Sequence, residues 1–181
     1  RLFAVSCGIG FDAAVCAEAM HSPIKDTMNR IGLGKLTYLG IALKQLITAR
    51  KVSCTLTLED KVHDKKESVE LPRFLFVTCM SHRYEGGGFM FCPPAVDHDG
   101  VLDLCSVGNI SKGLVLLALP TAFFGKHYFV KGINAHTATQ MSITASAPLW
   151  VHTDGEVTRK SRGFRVECLP GAIRMITPEV K

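Results

Sequence analysis

Two short stretches carry residue types at spacings from which chemistry could be built. The first is GGGFMFCPPAVDHDGVLDL, from Gly86 to Leu104. Its glycines Gly86, Gly87 and Gly88 lack Cβ atoms, so backbone there can approach a ligand or another chain closely. Successive N–H groups in such a loop can cradle phosphate, although no GK[ST] follows to complete a P-loop. Asp97 and Asp99 are hard oxygen donors two residues apart, able to face Mg²⁺ or Ca²⁺ together with a backbone carbonyl. A proline–glycine turn carrying two acids has the same composition. The second stretch is HTDGE, His152 to Glu156. Asp154-Gly155 is a hairpin signal, and Glu156 begins the strand beyond it. A carboxylate at such a strand end can serve as a general base, or can be a solvated surface acid.

The elements that must position these residues follow from periodicity and punctuation. A strand is expected over LFAVSC (Leu2–Cys7), then a tight turn in which Asp12 caps a helix over AAVCAEAMH. A polar loop, HSPIKDTMNRIGLGKL, separates it from a second helix over Lys35–Lys51, where Leu36, Leu39, Leu43, Leu46 and Ile47 fall on one face. From residue 52 the pattern is strand-like. SCTLTLED and KESVELP flank a charged turn, and RFLFVTCM reads as a buried strand. VLDLCSVG precedes a third helix over KGLVLLALPTAFF, capped by Ser111. ATQMSITASA, LWVHT, EVTRK, GFRVECLPG and AIRMITP complete eight or nine strands. Strands adjacent in sequence point to a mainly β, α+β fold: an antiparallel β-sandwich or barrel with about three inserted helices.

Composition narrows the class. The 181 residues suit one domain, 47% apolar and 20% charged, with a mild net charge of +5. That charge favours anionic surfaces or phosphates without marking a nucleic-acid binder. The seven cysteines form no CxxC and sit mostly in apolar runs, as buried thiols of a reducing compartment do. GLVLLALPTAFFG (Gly113–Gly125) is too short to span a bilayer. It reads as core, with a lipid-chain lining as the alternative. GIGFDA (Gly8–Ala13) fits a dinucleotide-binding GxGxxA, but no second strand ending in an acid follows about 20 residues on. Its glycines are expected to serve a strand–helix turn. The chain opens on RLFAV without Met, which suggests a piece of a longer protein.

The order of the motifs carries more than any one of them. GFDAAV, LGKLTYLGIALKQL, GGGFMFCPPAVDHDGVLDL, LVLLALPTAFFGKH, TDGE and ECLPGAIRMITP together resemble the C-terminal half of the diacylglycerol kinase/sphingosine kinase-like lipid kinases of the soluble bacterial type. The resemblance covers nearly all of the chain. It implies a β-sandwich second domain over residues 1–181 and a separate nucleotide-binding domain carrying GGDGT, a motif this sequence lacks. It implies that Glu156, in the Asp154-Gly155-Glu156 motif, deprotonates a lipid hydroxyl such as that of diacylglycerol. The resulting oxygen attacks the γ-phosphate of ATP with Mg²⁺ present. It places a metal at Asp99 and the Val101 carbonyl. The third ligand of some relatives falls here on Val96, which has no side-chain oxygen, leaving Asp97 as the substitute. The Gly86–Gly88 loop would then face the substrate cleft. A cytoplasmic enzyme is implied, peripheral to the inner face of the membrane, with room for a homodimer and no nucleic-acid partner. The alternative is a non-catalytic β-rich domain that binds lipid, a membrane or another subunit.

Overall fold

The computed structural model describes residues 1–22, 34–85 and 88–174. Strand β1 (Ser6–Gly10) runs directly into helix α1 (Phe11–His21). Helix α2 (Gly34–Thr48) leads to β2 (Val52–Asp60), β3 (Lys65–Met80) and β4 (Leu102–Gly108). Helix α3 (Lys112–Ala118) continues as two 3₁₀ turns, Leu119–Phe124 and His127–Phe129. The described chain ends with β5 (Ile133–Ala138), β6 (Gln140–Thr153) and β7 (Glu156–Glu167). Every strand pairing is antiparallel. Among the described residues, no helix is long and apolar enough to cross a membrane.

Among the described residues there are seven strands against the expected eight or nine: three pairs of expected segments each form one longer strand, and β5 is one that the sequence punctuation did not mark. KESVELP and RFLFVTCM form the single strand β3, which passes through Pro72. There the ladder slips: Cys54 faces Leu71, but Val52 faces Phe74. Pro72 cannot donate to a ladder, and a bulge is where a strand tolerates it. β6 likewise passes through Pro148, with a break in its β7 register between Thr144 and Leu149. EVTRK and GFRVE form one β7. The two long strands therefore change partners along their length. The first half of β3 pairs with β2, and its second half with β1 and β4. The first half of β6 pairs with β2, and its second half with β1. One hydrogen-bonded sheet thus folds over itself, as bulged and bent strands allow.

Two cores result. Between the sheet layers lie Ile9, Leu56, Phe74, Val77, Leu104, Met141 and Ile143, all at most 2% exposed. On the opposite side the helices cover Phe76, Met80, Cys105, Val107 and Ile110. Strand β4 shows why both faces are apolar: Leu102 and Leu104 point to one core, Cys105 and Val107 to the other. All seven cysteines are thiols, none in a disulfide. Burial pushes the thiols of Cys7, Cys54 and Cys105 up to about 12. The third expected helix is shortened to α3, capped by Ser111 Oγ accepting the Leu114 N–H at 3.2 Å. Pro120 then tightens the chain into the 3₁₀ turn. AIRMITP yields no strand within 172–174, and its remainder lies outside the described residues.

The bend at Pro148 leaves Gly163 against the opposite strand. A Cβ there would stand 2.1 Å from the Ile143 carbonyl oxygen. Gly163→Ala is expected to destabilise the fold by about 1–3 kcal/mol in chemical denaturation, as overpacking does. Gly40→Ala is the control. Nothing lies within 4 Å of the added Cβ in α2, so that change is expected to stabilise by about 0.5–1 kcal/mol.

Candidate active-site hairpin and its buried support

Asp154 and Gly155 form the two-residue turn between β6 and β7, with φ of 50° and 77°. Both lie in the left-handed region, the requirement of a type I′ hairpin turn that matches strand twist. Thr153 faces Glu156 across its base. The Asp154 carboxylate accepts three backbone N–H groups: Ala4 at 2.9 Å, Val5 at 2.8 Å and Ser6 at 3.0 Å. In return, the Asp154 N–H donates to the Ser6 carbonyl at 2.8 Å. Partial burial alone would raise the Asp154 pKa, but the three amides win and hold it below the usual carboxylate value. They also explain why β1 starts at Ser6 and not at Leu2. The preceding amides are committed to a side chain and cannot join a ladder. Asp154 is therefore the staple of the turn, while Glu156 projects outward. The Glu156 side chain is 65% exposed and ion-paired with Arg1.

Beneath the turn lies a buried polar cluster. His152 is fully enclosed. Its Nε2 stands 2.6 Å from Asp12 Oδ2 and 3.8 Å from Glu85 Oε1. Its Nδ1 accepts the Gly155 N–H at 3.2 Å, which sets the Nε2–H tautomer of the neutral ring. Burial works against charge on this imidazole, whereas Asp12, then Glu85 and Asp154, raise its pKa to about 9; the Gly155 N–H at Nδ1 opposes that rise, because the charged ring has no lone pair there to accept it. Glu85 is pushed up to about 7 by burial first and the Asp12 charge second. Ser6 Oγ donates to Glu85 Oε1 at 2.6 Å. Glu85 Oε2 is buried and finds no partner among the described residues. Asp12 does not cap α1. The helix begins at Phe11 after Gly10, with no side-chain cap, because the Asp12 carboxylate turns to His152 instead.

The GIGFDA glycines make this packing possible. A Cβ on Gly8 would sit 2.4 Å from Asp12 Oδ2 and 2.5 Å from His152 Nε2. A Cβ on Gly10, at φ 107°, would sit 2.3 Å from the Leu75 carbonyl oxygen. The strand–helix turn expected from sequence is present, and its first glycine admits the Asp–His pair. Donor atoms of Asp12, Cys16 and His152 lie within 4.8 Å of one another. A histidine that ligates metal normally donates its other ring N–H to an acceptor. Here the Gly155 N–H points at that second nitrogen, so the arrangement is a hydrogen-bond relay from α1 to the hairpin.

The proline–aspartate loop is separate in its bonding. Asp99 Oδ1 accepts the Val101 N–H at 3.1 Å, and Asp97 pairs with His98 Nδ1 at 2.8 Å. Both acids are exposed. For a divalent ion the loop offers the second Asp99 oxygen and the Val101 carbonyl, a set that suits a water-rich Mg²⁺ shell. Nearby Asp103 is buried on β4. Burial, and then the Asp99 charge, push its pKa up to about 6. In the glycine loop, the Glu85 N–H donates to Phe89 O at 2.9 Å, and Gly88 adopts φ 87°. Gly86 and Gly87 lie outside the described residues. Sequence reading singled out Asp154, Glu156, Asp97, Asp99 and Val101; it did not single out Glu85 and His152, which the fold brings together beneath the hairpin. The available signal was a histidine in the run LWVHT, immediately before the Asp154-Gly155 turn.

The three-amide grip makes a measurable demand on Asp154. Asp154→Ala is expected to lower stability by about 2–3 kcal/mol, since bonds to a charged acceptor exceed neutral ones. Amide exchange at Ala4, Val5 and Ser6 should accelerate with it. Asp154→Asn retains the oxygen that serves Val5 and Ser6 and tolerates the left-handed turn, so its loss should be clearly smaller. Equal effects of the two variants would refute the grip.

Comparison with known proteins agrees with this architecture. Residues 5–177 match the family described as the YegS C-terminal NAD kinase beta sandwich-like domain. The Bacillus subtilis protein named "Putative lipid kinase YtlR" is 28% identical over 94% of this chain and 53% of its own length. The Mycobacterium tuberculosis protein named "Diacylglycerol kinase" is 25% identical over 91% of this chain and 51% of its own. The crystal structure of "a putative diacylglycerol kinase" from Bacillus anthracis superposes with a TM-score of 0.58 at 22% identity, covering 93% of this chain and 51% of that one. This chain thus spans about half the length of these relatives. The family model covers nearly all of this chain, and the chain belongs to the YegS C-terminal domain family, whose relatives here carry lipid-kinase names.

Proposed function

We propose that this chain is the substrate-side domain of an ATP-dependent lipid kinase, with Glu156 as the base that takes the proton from a lipid hydroxyl such as that of diacylglycerol. The observation that carries the reading is the contrast between adjacent acids. Asp154 is locked into the fold by three amides, whereas Glu156 stands on the far side of the same rigid turn with an exposed carboxylate. A base must be fixed in its backbone yet open to the proton it removes. The exposed ion pair with Arg1 is a weak restraint that an arriving hydroxyl can displace. His152 fixes the turn from below through the Gly155 N–H.

In this proposal, ATP is held mainly by a nucleotide-binding domain outside the present sequence, in the half of the relatives that the chain does not match. Asp99 and the Val101 carbonyl, with Asp97 beside them, are the residues that would hold Mg²⁺, whose charge favours phosphoryl groups near the cleft. The enzyme would work in the cytoplasm at the membrane's inner face, where its lipid alcohol resides.

Two measurements on the native polypeptide that carries this chain test the reading. Glu156→Gln should lower turnover on a lipid alcohol by about 10²-fold or more with little change in KM, the pattern of a lost base. The 181 residues alone should transfer no phosphate from ATP. Turnover of Glu156→Gln within a few-fold of the unmodified enzyme would reduce Glu156 to a surface acid. Phosphorylation by the isolated chain would overturn the division of labour.

A further inference from the structure

Residues 104–153 contain no Asp or Glu, yet hold Lys112, Lys126 and Lys131. Lys112 opens α3, Lys126 lies between the two 3₁₀ turns, and Lys131 follows the second of them. The segment they mark is firmly seated on one side. Val115, Ala118, Ala122 and His127 are buried beneath it, and Tyr128 OH donates to the Phe91 carbonyl at 2.6 Å. Gly125 ends the first 3₁₀ turn at φ 65°, where a Cβ would strike Pro93 Cγ at 2.7 Å. The outward side is unusually apolar. Leu117 is 72% exposed, Phe124 73% and Phe129 88%, with Leu114, Leu116 and Phe123 partly exposed beside them. With the inward side fixed to the core, Leu117, Phe124 and Phe129 are the side chains left most open to solvent, while Phe123 stacks on Phe89 at 4.2 Å.

We infer that this segment is the membrane-docking surface of the protein, inserting Leu117, Phe124 and Phe129 among the lipids of an anionic bilayer while Lys126 and Lys131 meet its headgroups. The inference deepens the lipid-kinase reading and rests on it for its purpose, but not for its test. Charge complementarity selects the occupant. An apolar segment whose own stretch of fifty residues carries three lysines and no acid suits an anionic interface. A protein partner would have to supply a fitted apolar pocket with acids placed beside it, whereas an anionic bilayer offers apolar depth and negative charge without a fitted shape. Lys112 is partly engaged, donating to the Ile47 carbonyl at 2.5 Å, so Lys126 and Lys131 carry the electrostatic part. The seating of the segment means that docking requires no rearrangement.

The test is co-sedimentation of the native polypeptide with vesicles of phosphatidylcholine alone or mixed equally with phosphatidylglycerol. Binding to the anionic vesicles should exceed binding to the neutral ones at least tenfold and fall with salt. Phe124→Ser with Phe129→Ser should weaken it by tenfold or more. Lys126→Gln with Lys131→Gln should weaken it and flatten its salt dependence. All four positions are surface ones, so thermal melts should match the unmodified protein. Absent binding to anionic vesicles, or binding indifferent to the phenylalanine pair, overturns the proposal. So does self-association in gel filtration that the phenylalanine changes dissolve, which would make a second copy the occupant. A kinase assay on a dispersed short-chain lipid alcohol separates the two readings. The phenylalanine variants should keep turnover there, while Glu156→Gln should lose turnover yet still bind vesicles.

Discussion

The grip of the Asp154 carboxylate on the amides of Ala4, Val5 and Ser6 is the interaction on which the candidate site depends. It ties the start of the described chain to a hairpin about 150 residues later, and so closes β1 against β6. From there β1 pairs with β3 on its other edge, which brings the sheet back on itself. The same turn is held from below by the Gly155 N–H donating to His152 and by His152 facing Asp12. One tight turn thus receives restraints from the N-terminal segment, from α1 and from its own two strands. Such redundancy is what keeps a side chain at a turn in a single place, since loop positions are otherwise the most mobile.

The buried cluster is a consequence of that closure and not an independent feature. Bringing β1, β6 and the Glu85 loop together encloses Asp12, Glu85 and His152 in one space. Two carboxylates and one imbalanced imidazole out of water raise the Glu85 pKa to about 7 and the His152 pKa to about 9. The two shifts have different balances: at Glu85 burial and the like charge of Asp12 act together, whereas at His152 the opposite charge of Asp12 outweighs burial. Gly8 is the residue that makes the enclosure sterically possible. A motif that resembles a phosphate loop in sequence therefore works here by omitting an atom where two side chains must meet.

What could be read in advance follows the range of each interaction. Asp154-Gly155 was legible because a two-residue hairpin makes demands that only a few adjacent residue types meet. Ser111 was legible as a cap for the same local reason. The partnership of Asp12 with His152 was not, because it joins residues 140 apart, and nothing in GFDA distinguishes a helix cap from a long-range acceptor. Pro72 and Pro148 misled for a different reason. A proline ordinarily ends a strand, but both here sit where the ladder slips, so β3 and β6 run on through them. The GLVLLALPTAFFG stretch read as core because hydropathy reports composition and not side. Its burial alternates around a short helix and a 3₁₀ turn, leaving Leu117 and Phe124 outside.

The positions of Asp154 and Glu156 show how one motif yields two roles. Their side chains have the same chemistry and stand two residues apart across a left-handed turn. The first faces unpaired amides, which satisfy it and hold its pKa low. A carboxylate so engaged is a poor base, because taking a proton would cost it those bonds. The second has left the turn and meets only Arg1 at the surface, where solvent weakens the attraction. Exchanging the two residues' environments would exchange their capacities. The division between a structural acid and an available one is therefore written in the backbone of the turn: two consecutive left-handed residues aim the first carboxylate inward and release the second.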